Sequence, residues 1–126
     1  MKLQLNILKN SFTIHRFPAN HEIPSQVYEI QFYSISKTDE ELSIVCNSTT
    51  QFNSEKSDTD WSCIKVEGPL DFSLTGILAK ISTVLAKAEI SIFAISTFDT
   101  DYILLKSEKL PFAKKALLKS GYTFNN

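Results

Sequence analysis

The residues whose types and spacing suit chemistry gather in two short stretches. In Thr97-Phe98-Asp99-Thr100-Asp101, two acids fall within three residues. Such carboxylates cap a turn in the ordinary case, and they can equally receive an ammonium or guanidinium group. The second stretch is 71–77, DFSLTGI, where a strand pattern gives way to the start of a helix. The N–H groups exposed at a helix start bind carboxylates and other anions, and Gly76 lets a backbone or ligand come close. The same stretch also reads as a plain strand–helix connection, with Ser73 as its cap and Asp71 beside the positive end of the helix dipole. Together the two stretches offer donors for a carboxylate and acceptors for a cation, which is what a zwitterionic amino acid requires.

Other reactive residues do not form catalytic patterns. His15 and His21, in and beside HRFPANH, match no zinc spacing and read as structural or surface histidines. Asp39-Glu40-Glu41 is a solvated turn. No G-x-S-x-G occurs, and Gly68 and Gly76 lack the G-K-[ST] ending of a phosphate loop. Cys46 and Cys63 lie far apart within strand patterns, with no C-x-x-C and no recognisable His helper. They read as free thiols in a reducing cytoplasm. No cofactor or metal is implied, and a small enzyme is the least favoured class.

The elements that must position the two stretches follow from hydrophobic spacing. Leu74, Ile77, Leu78, Ile81, Leu85 and Ala88 make one apolar helix face, with Lys80, Thr83 and Lys87 opposite. The apolar, β-branched run from 90 to 98 predicts a strand buried on both faces, and 102–106 returns as its partner. Upstream, Leu3, Leu5 and Ile7 alternate with polar residues, and Phe12, Ile14 and Phe17 suggest that a second strand pairs with the first as a hairpin. Residues 25–29 hold one helical turn. Ile30, Phe32 and Ile35 lead a strand that a polar turn returns through Leu42, Ile44 and Cys46. Residues 47–60 are a polar linker anchored by Phe52, and 61–67 alternate as a strand. Pro111 opens a last helix with its face at Leu110, Ala113 and Leu117. Gly121 stops that helix, and 122–124 close with a short strand.

The C-terminal half therefore reads β-α-β-β-α-β, a ferredoxin-like α+β plan. Residues 61–126 form this domain and residues 1–60 a degenerate copy of it. At 126 residues and 43% hydrophobic content the chain has material for a packed core. Its net charge of −1 gives no footprint for nucleic acid. No run reaches membrane-spanning length, and the N-terminus shows no signal-peptide pattern.

The run GPLDFSLTGILAKISTVLAKAEISIFAISTFDTDYILLKSE resembles an ACT domain. More closely, it resembles the small bacterial tandem-ACT proteins and their relatives, the cytosolic arginine sensors of animal cells. The likeness is strong from Trp61 to Tyr122, with ISIFAISTFDTDYIL its most specific part. It implies a regulatory protein that binds a small ligand, commonly an amino acid, at an interface between paired domains. On that resemblance, Asp71, Phe72, Ser73, Leu74, Thr75, Gly76 and Ile77 form one ligand wall. Ser91 and Ile92 contribute from the next strand, and Thr97, Phe98 and Asp101 complete the site, with Asp101 meeting the cationic end. The relatives join units that this chain lacks, so an equivalent site would form between two chains of a homodimer. The competing function is a protein-interaction module whose ligand site is vestigial.

Overall fold

Eight strands and two α-helices form in the computed structural model, which describes residues 3–67 and 76–126. In chain order they are β1 (Gln4–Ile7), β2 (Phe12–Phe17), β3 (Tyr33–Lys37), β4 (Leu42–Asn47), β5 (Lys56–Val66), α1 (Ile77–Lys87), β6 (Phe93–Ser96), β7 (Asp101–Lys106), α2 (Leu110–Lys119) and β8 (Thr123–Phe124). Two units result, one of Asn10–Trp61 and one of Met1–Lys9 with Ser62–Asn126.

In the first unit the order is β3-β4-β2-β5, all antiparallel. Alternating Leu42, Ile44 and Cys46 join Phe17 and Val27 in the core, and Phe52 packs against them as the expected anchor. A short 3-10 helix spans Ser25–Glu29. The polar stretch before Trp61 is not all linker, because β5 already begins at Lys56. Its first five residues are exposed, and Lys56, Ser57 and Asp58 among them pair with β2. Register slips by one residue between Phe12↔Trp61 and Ile14↔Asp58. Asp60, at φ 66, takes up the extra residue, as a β-bulge does.

In the second unit β1 pairs with the later half of β5, Leu5 opposite Val66, and runs parallel to β8. The expected β1–β2 hairpin is absent. Asn10, at φ 72, turns the chain, and each strand takes β5 as its partner in a separate stretch. From β8 the order is β8-β1-β5-β7-β6, so β1 intervenes between β8 and β5, the last and first strands of the ferredoxin-like plan. The Asn126 side chain extends the pairing, accepting from Ile7 N at 2.9 Å and donating to Ile7 O at 2.8 Å.

Ile81 and Leu85 of α1 and Ala113 and Leu117 of α2 share a core with Leu5, Ile64, Val66, Ile103 and Leu105. Their i, i+2 spacing on the strands puts them on one sheet face, so both helices cover that face. Ile77 and Leu78 pack at its margin, half-buried, and Ala88 is exposed. Helix α2 has Pro111 in its first turn. It stops at Gly121, φ 100, with Tyr122 N bonding Leu117 O and Gly121 N bonding Leu118 O, both at 3.0 Å. The 90–98 run corrects an expectation. Its strand is only four residues, Phe93–Ser96, and alternates between half-buried and exposed. It pairs with β7 alone among the described strands, which leaves it at an edge, and the helices cover only one face of the sheet, so its alternate side chains stay exposed.

Candidate ligand site at the β6–β7 turn and the start of α1

The turn between β6 and β7 is closed by threonines rather than by its acids. Thr97 N donates to Thr100 O at 2.8 Å. The Thr97 hydroxyl donates to the same carbonyl at 3.1 Å and accepts from Thr100 N at 3.3 Å. Thr97 thus spends its side chain within the turn. Asp101 stands opposite Ser96 in register, and one of its carboxylate oxygens accepts from the Ser96 hydroxyl. Its side chain is half-buried, and its second oxygen remains a further acceptor. Phe98 projects from the turn, 81% exposed.

Thr100 is the residue that sequence reasoning missed. It is 5% exposed, and its hydroxyl donates to the Val66 carbonyl at 2.5 Å. That bond fastens the acid-bearing turn to the end of β5, the strand from which the chain runs toward α1. A threonine inside a polar turn carries no sequence signal for such a tie.

Helix α1 opens at Gly76, whose φ of 75 is left-handed. A Cβ there would have room, its nearest neighbour being Lys80 Cε at 3.9 Å. The constraint is therefore backbone conformation, which glycine alone meets without strain. Gly76 O accepts the first helical bond, from Lys80 N at 2.8 Å. As N-cap, Gly76 has no side chain with which to satisfy the first-turn N–H groups, and that turn contains no acid. Ile77 follows as the first helical residue. The expected wall residues Asp71, Phe72, Ser73, Leu74 and Thr75 lie outside the described residues, and the N-cap of α1 is Gly76 rather than the expected Ser73. Ser91 is exposed, and Ile92 packs against the helix-covered core just before β6.

The remaining reactive groups are structural. Cys46 and Cys63 are buried free thiols. Burial pushes Cys46 up to about 11 and Cys63 up to about 12, so both are protonated and poor nucleophiles at neutral pH. His15 is buried between Phe17 and Phe52, and its Nδ1 lies 3.0 Å from the Ser54 hydroxyl. Desolvation lowers its pKa. His21 stacks on Phe17 with ring centroids 4.6 Å apart. Among the described residues no cluster of His, Cys, Asp and Glu is placed to hold a metal, and no helix is long and apolar enough to cross a membrane.

A βαββαβ element order with both helices on one sheet face defines a ferredoxin-like α+β fold. The ACT domain family model matches residues 56–119, half of the chain, and the chain belongs to that family. A further model, described as an N-terminal domain, matches residues 10–50. The chain is similar to the cytosolic arginine sensor for mTORC1 subunit 1 of Pongo abelii, 34% identical over 106 residues, which cover 77% of this chain and 32% of the sensor. It thus spans about a third of that relative's length. The crystal structure of a protein from Agobacterium tumefaciens is 36% identical, with a TM-score of 0.90 over 98% of this chain and 92% of that one. The ligand-free regulatory subunit of aspartate kinase from Thermus thermophilus shares the fold at 10% identity, with a TM-score of 0.63 over 91% of this chain and 97% of that one.

Proposed function

We propose that this chain is a non-catalytic regulatory protein that binds a free amino acid at an interface between two of its copies. The tie from Thr100 to Val66 supports the reading, because it holds the turn bearing Asp101 against the end of β5. The first-turn N–H groups of α1 are donors suited to the ligand carboxylate. Asp101 is suited to its ammonium or to a cationic side chain, and a zwitterion satisfies both ends with little net charge. Ser91, Ile92, Thr97 and Phe98 complete the proposed wall, together with residues 71–77.

The curated arginine sensor is about three times as long as the stretch matched here. A site shared between two copies makes a homodimer part of the proposal. Residues 10–61 act in it as a reduced ACT-like unit.

A thermal-shift series with the standard amino acids tests the reading. A ligand at about 100 times its Kd adds about 2.7 kcal/mol, or roughly 10 °C for a domain of this size. A concentration-dependent rise with one or a few amino acids is expected, a cationic or polar one first. No rise with any of them would favour the interaction module with a vestigial site.

A further inference from the structure

Helix α2 has two apolar faces, and the core uses only one. Ala113 and Leu117 are fully buried. Phe112 and Ala116 are on the outer side, and Phe112 is 62% exposed. With Ala88 and Ile90, which follow the end of α1, they floor an open groove of about 330 Å³ between the two helices. Leaving a phenylalanine ring in water forgoes the free energy of burying it, and Phe112 supports no part of the described core. Lys109, Lys115 and Lys119 form the rim. Lys109 Nζ stands 6.0 Å from the centre of the Phe112 ring. Lys115 and Lys119 meet no carboxylate among the described residues.

We infer that this groove between α1 and α2 is a docking site for an acidic amphipathic helix of a partner protein. Apolar floor and cationic rim run along α2, so the complementary shape is a helix with apolar residues at i, i+3 and i+4 and Asp or Glu on both flanks. Among the described residues a second copy of this chain offers no such element, because neither α1 (ILAKISTVLAK) nor α2 (LPFAKKALLK) contains an acid. The acidic turn at Asp39-Glu40-Glu41 and the acids of β5, Asp58 and Asp60, are not helical. The groove lies within one unit and uses none of the residues assigned to the amino acid. It is therefore an output surface independent of the ligand reading.

The test uses the full chain and two fluorescent synthetic peptides with the same Leu/Phe apolar face, one flanked by Glu and one by Lys. Fluorescence anisotropy measures affinity, and amide chemical-shift changes locate the site. The Glu-flanked peptide should bind, shift Ala88, Ile90, Phe112 and Ala116, and weaken as salt rises. Lys115→Glu together with Lys119→Glu should weaken it by roughly tenfold or more, because like charges then face each other across the rim. Phe112→Ala should weaken it while leaving the thermal transition in place, since the ring is exposed. Equal binding of both peptides would overturn the inference. So would shifts elsewhere on the surface, or binding of octanoate to the same residues with none of the Glu-flanked peptide. Loss of amino-acid binding with peptide docking intact would instead count only against the ligand proposal.

Discussion

Replacing Thr100 by valine keeps the shape of the side chain and removes its one donor. The hydroxyl is buried and bonds the Val66 carbonyl across 34 residues of sequence. In the variant that carbonyl loses its side-chain donor in a place that water does not reach. A buried hydrogen bond contributes about 0.5–1.5 kcal/mol net, and leaving one partner unsatisfied raises the loss to about 1–3 kcal/mol. With roughly 2.1 cal/mol/K of unfolding entropy per residue, the melting temperature should fall by about 4–11 °C. Thr100→Ser separates the bond from packing, because it keeps the donor and loses only a methyl. Differential scanning calorimetry should rank wild type above Thr100→Ser and Thr100→Ser above Thr100→Val. Amide exchange at residues 96–101 should quicken in the valine variant alone. If valine is tolerated as well as serine, the turn is held by packing, and the argument that a hydrogen bond fastens the acidic turn to β5 is wrong.

Leu85→Ala, at a fully buried position of α1, should cost about 2–5 kcal/mol in urea denaturation, and Leu78→Ala, at the half-buried margin, clearly less. An equal loss at both would mean the helix face is rotated from the one described. His15 holds its proton less tightly when folded than when unfolded, so acidification below about pH 6.5 should erode stability by up to about 1.4 kcal/mol per pH unit until the folded ring protonates. His15→Gln should flatten that slope. Native Cys46 and Cys63 should resist a thiol reagent at pH 8 and react once the chain is unfolded in denaturant, because burial keeps both protonated.

Local patterns carried the helices and most strands. Ile81 and Leu85, Ala113 and Leu117, and the Gly121 stop are where their 3.6-residue spacing and turn chemistry require. What adjacency in sequence suggested for β1 and β2 was overridden by a distant partner, β5. Leu5 finds Val66, and Phe12 finds Trp61. The start of β5 was hidden because KSDTD is polar and exposed on both faces. The 90–98 run was misread in the opposite direction. Its apolar content signalled burial, yet β6 is an outer strand and Phe98 stands in solvent. At the candidate site, Asp101 was legible from its charge, whereas Gly76 was singled out for close approach and the structure uses it as the left-handed N-cap of α1. Thr100 was not legible, because only the fold brings its hydroxyl to Val66 O.

Isothermal titration of the wild-type chain and of Asp101→Asn with arginine and with leucine tests the amino-acid proposal most directly. The substitution is isosteric and removes one charge from a half-buried carboxylate. The account predicts heat with an amino acid in the wild type and, for Asp101→Asn, a loss of arginine affinity exceeding the loss for leucine, with the melting transition retained. Charge-assisted bonds of this kind are worth about 1.5–3 kcal/mol, so the arginine loss should be roughly tenfold or more. Equal losses for the two ligands would remove Asp101 from side-chain recognition, and no heat with any amino acid would contradict the claim that this ACT protein is a ligand-binding one.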